Sequence, residues 1–192
     1  KLFDFVLTFD EYLLSKGQNY LYYPHGRCWI NHYKETKKEN KISTIASGKN
    51  TTEGHQLRHK IISKYRDDIS VYGHGYNPVE FKEESLLQYM YSITIENCRQ
   101  PGYWTEKIVD CFASKSIPLF WGDDAVNDYF DKEGIIYFEN EEELGNIIKD
   151  LKENGEEIYN SKKEAIEYNF KKVEEYRIPE DWMYLNYPFL FK

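Results

Sequence analysis

Short apolar runs alternate along this chain with stretches whose apolar residues recur at helical spacing. Residues 3–9 read as a strand, followed by a short helix from Glu11 to about Lys16 that Gly17 ends. Residues 20–23 read as a second strand before Pro24, and the charged, aperiodic stretch 33–41 as a loop or linker. Next come a strand at 42–46, a polar loop at 47–52 and a helix at 55–65 with Leu57, Ile61 and Ile62 turned inward. A strand at 69–72 ends in Gly73-His74-Gly75, and a short helix at 83–90 leads into a strand at 91–96. Thr105 is a good N-cap for a helix whose Ile108, Val109, Cys111 and Phe112 form a buried stripe. Beyond it lie a strand at 117–121, a helical turn at 124–130 and a strand at 135–138. Leu144, Ile147, Ile148 and Leu151, and then Ala165, Ile166, Phe170 and Val173, fall on the inner faces of two long, highly charged helices read as structural. Strands alternating with helices imply an α/β fold with a parallel, doubly wound, Rossmann-like sheet. The aromatic tail, residues 182–191, is expected to pack onto another domain or onto the first 30 residues.

The chain has 192 residues, enough for one good-sized domain or one domain plus part of another. No apolar run approaches the roughly 18–20 residues that span a bilayer. The N-terminus lacks the shape of a secretory signal, and the absence of an initiator methionine points to truncation or processing. Cys28, Cys98 and Cys111 have no zinc-like spacing, and Cys111 on its apolar stripe reads as a buried structural thiol. This cysteine usage slightly favours a reduced, cytoplasmic setting, but the compartment is not readable from the start of the chain. A net charge of −8 argues against a general nucleic-acid surface. A phosphate-bearing small molecule needs only a few local cations and is not excluded.

The most informative segment is 91–122, which runs strand, polar loop, helix, strand. In an open α/β sheet this junction faces the ligand crevice. Lys107 in a first helical turn sits at the positive end of the dipole, where an anion is needed to neutralise it. Ser47 and Lys49 also precede a helix, but Ser-Gly-Lys-Asn-Thr-Thr lacks the spacing of an ATPase phosphate loop. Gly73 and Gly75 suit a tight turn near a nucleotide. His25, His32, His55 and His59 read as surface or packing residues, with His74 the one to watch. His55 and His59 are four apart, but Gln56 stands where a zinc protease needs Glu. Asp123 and Asp124 read as a turn and cap, and no metal set is expected.

Glu96-Asn97, Tyr103-x-Thr105-Glu106-Lys107 and Ile117-Pro118-Leu119-Phe120-Trp121-Gly122, with Ser47, Arg58 and residues 71–75 upstream, form a pattern. It resembles the family 10 glycosyltransferases, the α-1,3/α-1,4-fucosyltransferases, most closely over residues 40–140. The resemblance implies the C-terminal half of a GT-B type enzyme. Residues 1 to about 33 would then be the end of an N-terminal domain and the crossing segment. Residues 34–178 would be the nucleotide-sugar donor domain, and 179–192 an aromatic tail packing back on the fold. The implied activity is transfer of fucose from GDP-fucose to a glycan hydroxyl with inversion.

Six residues are implied at the donor site. Arg58 would grip the diphosphate, as its planar fork of donors suits. Lys107 would meet phosphate and sugar, and Glu106 would accept from donor hydroxyls, the ribose above all. Asn97 and Tyr103 would line the pocket, and Glu96 would touch the donor or orient its neighbours. Thr105 reads as a cap first. The general base is expected outside this chain, with most of the acceptor domain. No cofactor beyond the donor substrate is expected, and a role for a divalent metal stays open. Two alternatives are a glycosyltransferase with another nucleotide-sugar and a non-catalytic nucleotide-sugar or protein-binding module.

Overall fold

The computed structural model describes residues 3–192; Lys1 and Leu2, which open the expected N-terminal segment, lie outside the described residues. Its centre is a five-stranded, wholly parallel sheet in the order β4-β3-β5-β6-β7. The strands are β3 (Glu39–Ile45), β4 (Ser70–Tyr72), β5 (Tyr89–Ile95), β6 (Ile117–Trp121) and β7 (Ile136–Tyr137). The chain first winds outward from β3 to β4 and then crosses back to β5 on the other side. The order therefore reverses between β3 and β5, and a crevice opens there beyond their carboxyl ends. Every residue of β5 and β6 is buried because helices cover both faces; β6 reads as a continuous apolar run, while β5 also buries the small polar Ser92 and Thr94.

One face packs against α2 (Glu53–Tyr65) and α4 (Glu141–Ser161), where Ile61, Ile62, Leu144, Ile148 and Leu151 join Tyr91, Ile93 and Leu119. The other packs against α3 (Glu106–Ala113), whose Ile108, Val109 and Phe112 meet Phe120, Phe130, Val173 and Tyr176. The apolar stripes expected on these helices face the sheet, and α5 (Lys163–Lys172) buries Ala165 and Ile166. Among the described residues no helix is long and apolar enough to cross a membrane.

The amino-terminal segment forms a separate two-stranded parallel sheet from β1 (Val6–Thr8) and β2 (Tyr20–Tyr22), joined by α1 (Glu11–Leu14). The aromatic tail lies against it. Phe189 meets Phe5 at 5.4 Å between ring centroids, Trp182 meets Tyr23 at 5.5 Å, and the Tyr187 hydroxyl donates to the Tyr22 carbonyl at 2.7 Å. Before that contact the chain passes through α6 (Pro179–Asn186).

Several boundaries differ from expectation. The strand expected over 3–9 keeps three residues, the length over which β2 is there to pair. The helix expected to reach Lys16 stops at Leu14. The last residues of the charged stretch 33–41 are strand, because Glu39 pairs with Tyr89 and its N–H donates to Gln88 O at 2.8 Å. Backbone pairing there overrides side-chain polarity at an exposed strand end. The helix expected at 83–90 is a single 3₁₀ turn at Lys82–Ser85, since the central strand begins at Tyr89 and the chain must already be extended.

Candidate donor site

A cavity of about 550 Å³ opens at the reversal point, walled by the ends of β3 and β5, the loops after β3 and β4, and the first turns of α2 and α3. Thr52 caps α2 by accepting from His55 N at 3.3 Å, and Thr105 caps α3 by accepting from Lys107 N at 3.4 Å. Both helices thus present the positive ends of their dipoles to one space. Lys49, Arg58, Lys82 and Lys107 line it, against the carboxylates Glu80 and Glu106.

Three consecutive residues at the end of β5 set most of this geometry. Ile95 O accepts from Arg58 Nη2 at 2.6 Å. Asn97 O accepts from Gly54 N at 3.1 Å, which docks the first turn of α2. Gly54 is there because nothing larger fits: a Cβ at this position would lie 1.7 Å from Glu96 O. Between them, the fully buried Glu96 carboxylate accepts from Thr105 N, from the Thr105 hydroxyl and from Lys107 Nζ at 2.8–2.9 Å. Lys107 Nζ also donates to Thr105 Oγ1 at 2.8 Å. The lysine is thereby held in one place at the cavity wall.

Arg58 is only 7% exposed. Burial lowers its pKa, with Glu96 and Glu106 opposing that. Burial alone would raise the Glu106 carboxyl, but Lys107 and Lys82, with hydrogen bonds from Thr105 and the helix backbone, hold it below the usual range. His55 is pushed down by burial and by Arg58, Lys49, His59 and Lys107 around it, which favours its neutral form. The loop after β4 closes tightly because Gly73 has φ +108°, and its missing side chain lets Ala46 O come within 2.1 Å of where a Cβ would sit. His59 holds two cavity loops together, bonding Tyr76 OH and Lys49 O at 2.8 Å each. The site can bind an anion with several fixed cations while a carboxylate accepts from neighbouring hydroxyls.

Of the six residues implied at the site, Arg58, Asn97, Glu106 and Lys107 line the cavity. Glu96 is not among the residues lining the cavity; its oxygens accept from Thr105 and Lys107. Tyr103 does not line the cavity; its ring packs on Phe9 and His25, at 5.4 and 5.8 Å between centroids. The turn 100–103, closed by Tyr103 N donating to Gln100 O, aims it at the amino-terminal segment. Burial there pushes its phenol up to about 12. Asp123 acts as the expected turn and cap, accepting from Ala125 N and Gly102 N. Among the described residues no three His, Cys, Asp or Glu side chains converge as a metal site.

His55, Lys82 and Trp29 line the cavity without having been singled out for it. His55 was legible: it lies three residues before Arg58 on one helix, hence on the same face. Nothing local marks Lys82 or Trp29, whose placement depends on distant chain.

Residues 35–178 match the model of glycosyltransferase family 10 (fucosyltransferase), C-terminal part. The chain belongs to that family. A proposed fucosyltransferase of Acanthamoeba polyphaga mimivirus is 28% identical over 184 residues, covering 82% of this chain and 30% of that protein. The α-(1,3)-fucosyltransferase FucT of Helicobacter pylori is 39% identical over 80 residues, 40% of this chain and 16% of that one. A crystal structure of an α1,3-fucosyltransferase with GDP-fucose aligns at a TM-score of 0.62 with 22% identity, covering 83% of this chain and 60% of that chain. T4 phage β-glucosyltransferase with UDP-glucose aligns at 0.53 with 15% identity, covering 93% and 58%. The structures share the expected parallel α/β fold of GT-B type. The family 10 chain described here spans less than a third of either sequence relative and about 60% of the solved fucosyltransferase.

Proposed function

We propose that this chain holds the nucleotide-sugar donor of a fucosyltransferase, GDP-fucose, for inverting transfer to a glycan hydroxyl. The observation that carries the reading is the cation-lined cavity at the reversal of strand order, built from family 10 sequence. Inverting transfer from a nucleotide-sugar builds negative charge on the departing diphosphate, and fixed cations lower the barrier by meeting that charge as it grows. Arg58 and Lys107 are suited to that task because both are locked before the ligand arrives, one by Ile95 O and one by Glu96 and Thr105. Glu106, kept ionised, accepts from a ribose diol, and Asn97 shapes the wall. The general base and acceptor surface are assigned to the part of the longer relatives that this chain does not span.

A second reading, another nucleotide-sugar on the same site, is favoured by one observation: the phage enzyme sharing the fold is described with UDP-glucose. Calorimetric titration of GDP, GDP-fucose and UDP-glucose, with Lys107→Ala as control, separates the two. Selective binding of the guanine nucleotides, weakened in the variant, supports the fucosyltransferase donor site. Preference for UDP-glucose supports the second reading, and binding of none rejects both.

A further inference from the structure

Lys82 is not among the residues that carry the family pattern and has no ligand role assigned above, yet it lines the same cavity as Arg58, Glu106 and Lys107. Its ammonium donates to Asp110, a carboxylate with no exposed surface on the second turn of α3. The other Asp110 oxygen accepts from Trp29 N at 2.7 Å. A fully buried carboxylate is costly unless something is gained by its charge. Burial indeed pushes the Asp110 carboxyl up, against the pull of Lys82 and the Trp29 N–H.

The backbone carrying Lys82 is fixed at each neighbour. Glu83 accepts from Asn31 N and His32 N at 2.9 and 3.0 Å, Glu84 accepts from Phe81 N at 2.8 Å, and the Ser85 hydroxyl donates to Lys82 O at 2.6 Å. The ammonium also lies 5.3 Å from the Trp29 ring centroid. An ammonium has three N–H donors. Among the described residues Asp110 is the hydrogen-bond partner of Lys82 Nζ, whereas Lys107 Nζ already gives to both Glu96 and Thr105. Lys82 therefore keeps more donor capacity for a ligand than the lysine the family pattern points to. Its field also reaches Glu106, the carboxylate at the start of α3.

We propose that Lys82 is a further donor-site cation that binds a phosphoryl oxygen of a nucleoside diphosphate, with Asp110 as its positioning residue. The proposal rests on the donor-site reading above and adds a residue to it. The arrangement mirrors the Glu96–Lys107 pair: in each, a fully buried carboxylate holds a lysine at the cavity wall.

The test is titration of GDP, and of guanosine by competition against GDP, into the parent chain, Lys82→Met and the double variant Lys82→Met/Asp110→Asn. The double variant removes one positive and one negative charge together, so it strands no buried carboxylate and leaves the long-range field nearly unchanged. Loss of a charge-assisted bond predicts GDP affinity about ten- to a hundredfold weaker in both variants, with guanosine unaffected and Lys82→Arg retaining most of the affinity. If the parent binds GDP and the double variant binds it equally well, the assignment of Lys82 is overturned while the donor site stands. Equal losses for GDP and guanosine would also overturn it, since Lys82 would then only shape the pocket. If the parent binds no GDP, the donor-site reading fails and takes this proposal with it.

Discussion

Replacing Gly54 by alanine tests whether the end of β5 really organises the site. On helix propensity alone Gly54→Ala should stabilise α2 by up to about 1 kcal/mol. The structure predicts the opposite sign. The new methyl carbon would lie 1.7 Å from Glu96 O and 2.9 Å from the Glu96 carbonyl carbon, both backbone atoms that no rotamer can move aside. Reaching ordinary contact would require the two backbones to part by roughly 1.5–2 Å, a shift that breaks the Gly54 N to Asn97 O bond. Overpacking strain of about 1–3 kcal/mol and a lost hydrogen bond of about 1 kcal/mol outweigh the propensity gain, leaving a net loss of about 1–3 kcal/mol. For a chain of this length that corresponds to a drop in Tm of about 2–12 °C. Gly48→Ala, where a Cβ would meet nothing within 4 Å, is the control and should stay within about 0.5 kcal/mol. Urea unfolding and thermal melts of the three proteins measure this directly. A Gly54→Ala chain as stable as the parent would refute the docking argument, and GDP affinity unchanged in a destabilised variant would separate that joint from Arg58.

Three further outcomes are expected. Lys107→Ala should weaken GDP binding about ten- to a hundredfold by calorimetry and also lower the urea midpoint, because the buried Glu96 loses its cation. Glu106 has a folded pKa held below its ordinary 4.5, so its ionised form adds stability above that value, which is lost as pH falls through the lower folded pKa. Glu106→Gln should accordingly be less stable than the parent at neutral pH, with the gap closing below about pH 4.5 in an acid titration followed by circular dichroism. Asp110 has the opposite sign: its raised pKa means the ionised form costs stability, and acid relieves that cost. Finally, a thiol reagent should label Cys98 in the native chain while Cys28 and Cys111 stay protected until denaturant is added. Both are buried, and burial pushes the Cys111 thiol up to about 11. Rapid native labelling of Cys111 would contradict its place on the inner face of α3.

How much of this protein could be read from the sequence depended on whether a signal was local. The largely apolar segments of β5 and β6 and the 3.6-residue spacing on α2, α3 and α4 are signals within each segment, and with them comes the parallel doubly wound class. The N-caps Thr105 and Asp123 and the turn glycines are local chemistry and were equally legible. Arg58, Asn97, Glu106 and Lys107 were found through a family pattern, and the fold gathers them at one cavity.

Tertiary structure decided the rest. Residues 39–41 are polar, yet they are strand because β5 offers backbone partners, and the expected helix at 83–90 gives way to a turn because β5 must begin at Tyr89. Tyr103 matches a donor-pocket position but its turn delivers the ring to Phe9 and His25. Glu96 could have been a ligand contact or an orienter; its two oxygens are taken by Thr105 and Lys107 only once β5 and α3 are packed together. The Lys82–Asp110–Trp29 cluster joins residues 28 and 81 positions apart, a proximity that sequence period and spacing do not encode. Periodicity and capping decide what most segments become because those forces act within a turn or two of chain. Which charge meets which across the crevice is set by the packing of segments far apart in sequence, and that is where the chemistry of this site was decided.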